Sequence, residues 1–431
     1  MLEGLEQVDW AHLWACSPAT EIPQLMRTLA FAEDPELRKR MIRELSERLL
    51  YQDSGVLEVT APAVPFVLEL LTAEAVKEKA SLLVLLVSIA SGTPFIMGRA
   101  VFSKYADEAS AAPELQARLA IERRWVQQAH AAVEHGVPIY LTFLAHPEAE
   151  TRRWAAYLLS HFATQAPDIL PALQLRLDHE DDDIVQATIV LGLASLLSQH
   201  PHPHPDATSA FLQRLGPYMR VEVPLLLRCT AALAYARCAR AATPAEVVQV
   251  LVEAAAGADA LYTFYWQLPE GVLASAYSVT TWVCETLALI EPTQAVPAFT
   301  AVLHRLPFAD GNQPLNQCVE ILRTVEVLLG AVFSQGAAPG AGLPNLPALL
   351  RSGLPVPPAL RGAERPAQRT AATLSQEQRL ALSALVAYDP LWTMQPASAV
   401  HRVYVVERGR HDLLERYGLP TSRDACGTLL E

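Results

Sequence analysis

Lysine is scarce in this chain: Lys39, Lys77, Lys79 and Lys104 are the only four in 431 residues. A phosphate-gripping lysine therefore has few candidates, and the sequence holds no GxxxxGK[ST], GxGxxG, GxSxG or HExxH. Cysteine is sparse as well. Cys16, Cys229, Cys238, Cys284, Cys318 and Cys426 stand singly, with no CxxC pair and no histidine at zinc spacing, so they read as reduced, mostly buried small hydrophobes and not as metal ligands. Aromatic residues make up only 7% of the chain, which disfavours a sheet core built on β-branched and aromatic side chains. There is no long apolar run: the richest, Ala80 to Ala90, falls well short of the roughly 18 residues that span a bilayer. Glu3, Glu6 and Asp9 interrupt the first residues, so no apolar signal segment follows Met1. No membrane association and residence in the cytoplasm are the expectations.

What is abundant is alanine and leucine, within a hydrophobic share of 51%. That composition suits layered helices, and the length exceeds what one compact core usually supports, which favours a repeat array. The net charge of −13 is unevenly placed. From Arg351 onward ten arginines face eight acids, leaving −15 on residues 1–350. An acidic body repels phosphate backbones and attracts basic protein surfaces.

An aliphatic residue followed by proline opens an apolar helical stretch again and again: Ile22-Pro23, Val64-Pro65, Val137-Pro138, Leu170-Pro171, Val223-Pro224, Val296-Pro297 and Leu346-Pro347. Proline is tolerated in the first helical turn, where the missing amide has no intrahelical partner, so these prolines predict seven helix starts. Acids precede long helices at Glu33-Asp34-Pro35-Glu36, His146-Pro147-Glu148 and His179-Glu180-Asp181-Asp182-Asp183, where the helix dipole favours negative charge. Trp154, Tyr157, Leu158 and Phe162 fall on one face of a helix. Apolar residues run nearly all round from Ile184 to Leu197, as expected of a helix sandwiched between neighbours.

The segment HPEAETRRWAAYLLSHFATQAPDILPALQLRL resembles a HEAT or phycobilin-lyase-type HEAT-like repeat. A wider resemblance to bacterial HEAT-repeat proteins rests on IPQLMRTLAFAEDPELR, YQDSGVLEVTAPAVPFVLELL and LLERYGLPTSRDA. The resemblance implies an all-α fold, a right-handed α-α superhelix of the HEAT-like or armadillo-type solenoid. It carries over no catalytic residues and no cofactor. The expected organisation is a solenoid over 1–335, interrupted by an insertion at 92–113 and a Pro/His loop at 198–217. A Pro/Gly-rich linker follows over 336–370 and a small helical cap over 371–431, where Ser375 and Gln378 form a capping box.

Several features invite chemistry. His200, His202 and His204 alternate with prolines, which impose a three-residue extended helix and point neighbouring imidazoles apart, so no metal site is expected. The acids at 180–183 lack the alternating pattern and glycine of a calcium loop. Tyr262, Phe264, Tyr265 and Trp266, followed by Glu270, cannot all face one side of one helix, which makes Tyr262, Tyr265, Trp266 and Glu270 candidates for partner binding. Arg123 and Arg124 beside Trp125, and Arg152 and Arg153 beside Trp154, are two aromatic-flanked basic spots and the remaining candidate contacts. The expectation is a non-catalytic scaffold for a basic protein partner, with an immunity or inhibitor-type role among its forms. The alternative is an enzyme of the HEAT-like DNA glycosylase type that uses Trp125 or Trp154 with nearby arginines.

Overall fold

In the computed structural model the described residues are 2–52, 54–95, 113–199, 205–257, 261, 264, 278–306, 312–333, 368–396 and 398–431. The chain is all-α, as its composition requires. Strand among the described residues is limited to two-residue pairings. The described residues fall into two compact units, the first ending at Gln199 and the second beginning at Pro205.

The first unit holds α1 (Ile22–Phe31), α2 (Pro35–Leu49), α3 (Thr60–Thr72), α4 (Lys79–Ala90), α5 (Pro113–Glu134), α6 (Val137–Phe143), α7 (Ala149–Leu159), α8 (Ala166–His179) and α9 (Asp183–Gln199). Helices α2, α4, α7 and α9 lie side by side, α1, α3, α6 and α8 back onto them, and α5 spans α3 and α4. This is the double layer of a helical-hairpin array. Every residue of α7 from Thr151 to Leu159 is buried, because α4 and α9 flank it and α6 lies behind. Small residues permit the approach. A Cβ at Gly192 of α9 would lie 3.3 Å from the Ser160 Cβ, and one at Gly136 would strike the Tyr140 ring at the α5–α6 joint. Three short strands, β1 (Leu50–Tyr51), β2 (Gly55–Val56) and β3 (Thr93–Pro94), pair in that order beside the helices.

The second unit holds α10 (Pro205–Leu215), α11 (Leu225–Ala239), α12 (Ala245–Ala256), α13 (Val279–Leu287), α14 (Pro292–Leu303), α15 (Leu315–Phe333), α16 (Gln376–Ala387), α17 (Asp389–Thr393), α18 (Arg408–Arg416) and α19 (Arg423–Thr428). Here α11, α13 and α15 form one layer and α12, α14 and α16 the other. Strands β4 (Asn312–Gln313) and β5 (Gln395–Pro396) pair in parallel.

The helix starts follow the expected chemistry. Asp34 accepts the Glu36 amide at 2.9 Å, and Asp182 accepts those of Ile184 and Val185 at 2.9 and 3.0 Å. The Ser375–Gln378 capping box is present on both sides.

Two expectations need correction. Pro23 and Pro138 stand in the first turn and Pro224 caps α11, but Pro65, Pro171 and Pro297 are each the sixth residue of α3, α8 and α14. These three helices begin a turn earlier than the proline, aided in α8 and α14 by Pro167 and Pro292 at their starts. The segment 198–217 is not a loop throughout: Pro205 opens α10, whose Phe211 and Leu215, four apart, are buried. Residues 200–204, 96–112 of the insertion, 336–367 of the linker and Pro347 lie outside the described residues.

Candidate functional site

Of the eight candidate contact residues, Tyr262, Tyr265, Trp266 and Glu270 lie outside the described residues, while Phe264 among them is buried. Arg123 and Arg124 are exposed on α5, with no ion pair among the described residues. Arg152 and Arg153, in contrast, are only 8% and 5% exposed. The sequence places them beside a tryptophan, and the flanking helices enclose both.

Arg152 is held inside the stack. Its Nη1 donates to the carbonyls of His146 and Pro147, both at 2.9 Å, and its Nε and Nη2 donate to the two oxygens of Glu180 at 2.9 and 2.8 Å. Arg38 repeats the arrangement two hairpins earlier, on α2: Nη1 donates to the carbonyls of Ala32 and Glu33, and Nε donates to Glu78. Each arginine is the fourth residue of its helix, and each acid stands just before the next helix of the same layer. Thus one side chain ties the turn behind it to the hairpin ahead. Burial alone would raise the Glu180 carboxyl. The Arg152 and Asp182 hydrogen bonds and the Arg176 charge outweigh it and bring the pKa down to about 2.

Arg153 heads an aromatic row along α7. Its guanidinium lies 4.8 Å from the Trp154 ring centroid, Trp154 meets Tyr157 edge-on at 6.0 Å, and Tyr157 meets His161 edge-on at 5.3 Å. Burial lowers the Arg153 guanidinium and raises the Tyr157 phenol. Burial, helped by His130, drops the His161 imidazole to about 4, so it is neutral at ordinary pH. His161 Nε2 and Trp154 Nε1 are buried without a hydrogen-bond partner.

A second aromatic cluster gathers at α5 from four separate stretches of chain. Trp14 and Trp125 stack with centroids 5.5 Å apart and planes 18° from parallel. Phe95 sets its edge against Trp14 at 4.9 Å, and Tyr51 meets Phe95 at 4.7 Å. The Arg118 guanidinium sits 4.6 Å from the Trp14 centroid and 5.0 Å from that of Trp125, within cation–π range of both. Its Nε donates to Glu122 Oε1 at 2.7 Å, and the Glu122 side chain is 0% exposed. Glu58 accepts the Trp14 amide at 2.9 Å. Trp14 and Tyr51 remain half-buried, so the box opens outward on their side. Only Trp125 and the Arg118–Glu122 spacing of four residues are visible locally in the sequence. Trp14, Tyr51 and Phe95 arrive through the fold.

Elsewhere in the second unit, α12 and α14 border an open groove of about 380 Å³ with Val248, Val252, Pro297 and Ala298 along it and Glu253 and Arg305 at one end. Both charges are engaged: Arg228 donates to Glu253 at 2.7 Å, and Arg305 donates to the Val252 carbonyl at 2.9 Å. Among the described residues no group of three His, Cys, Asp or Glu side chains could hold a metal, and no helix is long and apolar enough to cross a membrane.

No family model matches the chain, and no curated protein matches it. A solved structure, described as the crystal structure of Kap121p bound to RanGTP, aligns over 96% of this chain at 12% identity with a TM-score of 0.31. The chain spans 44% of the length of that protein.

Proposed function

We propose that this chain is a non-catalytic helical-repeat scaffold that binds a basic protein partner. The observation that carries the reading is the disposition of charge. Residues 1–350 carry −15, while Arg38, Arg152 and Arg153 are buried in the stack. Their charge is largely offset by the enclosed carboxylates of Glu78, Glu122 and Glu180, so the excess of acid stays on the accessible residues and a basic surface meets an acidic field. The same burial weakens the DNA glycosylase alternative, since Trp125, Trp154, Arg152 and Arg153 are all enclosed and Arg123 and Arg124 alone of that set face solvent. We assign those two arginines, with Tyr262, Tyr265, Trp266 and Glu270, to the contact surface. An immunity or inhibitor-type role is one form this binding takes.

The test is capture with the tagged full chain from its native cell, followed by surface plasmon resonance on the captured protein at two salt concentrations. A basic partner whose association slows with salt supports the reading. An acidic partner, or an association rate indifferent to salt, overturns it. Alanine at both Arg123 and Arg124 should cost at most about 1 kcal/mol, the usual worth of exposed rim charges.

A further inference from the structure

We propose that the box of Trp14, Trp125 and Phe95 with Glu122 is a recognition site for an arginine side chain of the basic partner, occupied in the free chain by Arg118. The inference rests on the reading of a basic partner and names the group that partner would present. Its main support is that the box already holds a guanidinium in the geometry such a site needs. The guanidinium carbon lies 4.6 and 5.0 Å from the two indole centroids, and a carboxylate at 2.7 Å accepts from its Nε. A planar guanidinium can stack and hydrogen-bond at once, which an ammonium cannot.

The charges are consistent with exchange. Glu122 pairs with Arg118 and Glu58 accepts the Trp14 amide, so two acids stand beside the box. Glu122 is fully enclosed, so it requires a cation at all times. Arg118 is different: its side chain is 35% exposed, the least enclosed member of the pair, and it is carried on a flexible stem. Swinging Arg118 into water while another guanidinium takes its place leaves the carboxylate paired throughout. Half-buried Trp14 provides the open side through which the exchange proceeds.

The experiment uses the full chain with Arg118→Ala and, as a variant that keeps the apolar stem over the rings, Arg118→Met. N-acetylarginine amide is titrated in the millimolar range while tryptophan fluorescence and melting temperature are followed. Both variants should show saturable fluorescence change and recover melting temperature lost through the substitution. Their affinity should exceed that of the unaltered chain at least about tenfold, since no internal guanidinium competes. N-acetylcitrulline amide, isosteric and uncharged, should do neither, and Trp125→Leu added to Arg118→Met should abolish the effect. Absence of saturable binding in whichever variant folds overturns the proposal, as does an equal response to the citrulline derivative. A trimethyllysine derivative binding as tightly as the arginine derivative overturns the guanidinium assignment. Because the probe is a small molecule, failure here leaves the capture result untouched, and failed capture leaves this one untouched.

Discussion

Replacing Arg152 with alanine should destabilise the first unit by about 3 kcal/mol, the lower end of the cost of breaking a buried ion pair. The substitution removes the donor of four hydrogen bonds, two to the turn carbonyls of His146 and Pro147 and two to Glu180. What sets the value at the lower end is that Glu180, whose side chain is 0% exposed, keeps Arg176 at 3.0 Å and the amides of Asp181 and Asp182 at 3.2 and 3.1 Å. Were Arg152 an ordinary surface charge, the loss would be under about 1 kcal/mol. Urea unfolding followed by circular dichroism separates the two. A cycle with Glu180→Gln should give a double variant less destabilised than the sum of the singles. The pH dependence is a second check. Glu180 is depressed to about 2 when folded, so its stabilisation is fully present above the unfolded value of about 4.3 and is lost as the pH falls from there toward 2. Arg152→Ala should shift that acid limb upward. A loss below about 1 kcal/mol, or strict additivity in the cycle, would refute the clasp as a coupled element.

Pro171→Ala should stabilise the chain by about 1–2 kcal/mol in urea unfolding, since alanine restores a donor at the sixth position of α8 and the interior proline penalty of about 3 kcal/mol is partly offset by the freer unfolded chain; no gain would place the helix start at the proline after all. His161, held neutral with its pKa lowered to about 4, should make stability fall as the pH drops from about 6.5 to 4, where the unfolded chain takes up a proton that the folded chain refuses. His161→Phe should flatten unfolding free energy across that window, and an unchanged slope would mean another group titrates there.

Much of the fold was legible because helical periodicity and helix-end chemistry are local. Asp34, Asp182, Ser375 and Gln378 lie at the termini their residue types demand. The prolines misplaced three helix starts because proline's fitness for a first turn is only a preference, and nearby Pro167 and Pro292 serve that role instead. The strands escaped notice because two-residue pairings leave no periodic trace. Residue type did not reveal the fate of Arg152 and Arg153 either: an arginine next to a tryptophan reads alike on a surface and inside a stack, and only the neighbours α4, α6 and α9 decide it. The box at Arg118 draws on residues 14, 51, 95 and 125, a juxtaposition no window along the sequence contains.

The arginine clasp also constrains how such a chain can change length. Arg38 and Arg152 occupy the same helical position and reach the same point of the following hairpin. Excising or duplicating a segment whose ends fall at the equivalent positions of α2 and α7 leaves each remaining clasp arginine facing an acid and its turn carbonyls answered. A cut at any other phase strands a buried carboxylate or guanidinium, at a cost of several kcal/mol, a large share of what a domain has to lose. The clasp thus fixes the phase, set by α2 and α7, at which the array can grow or shrink and still fold.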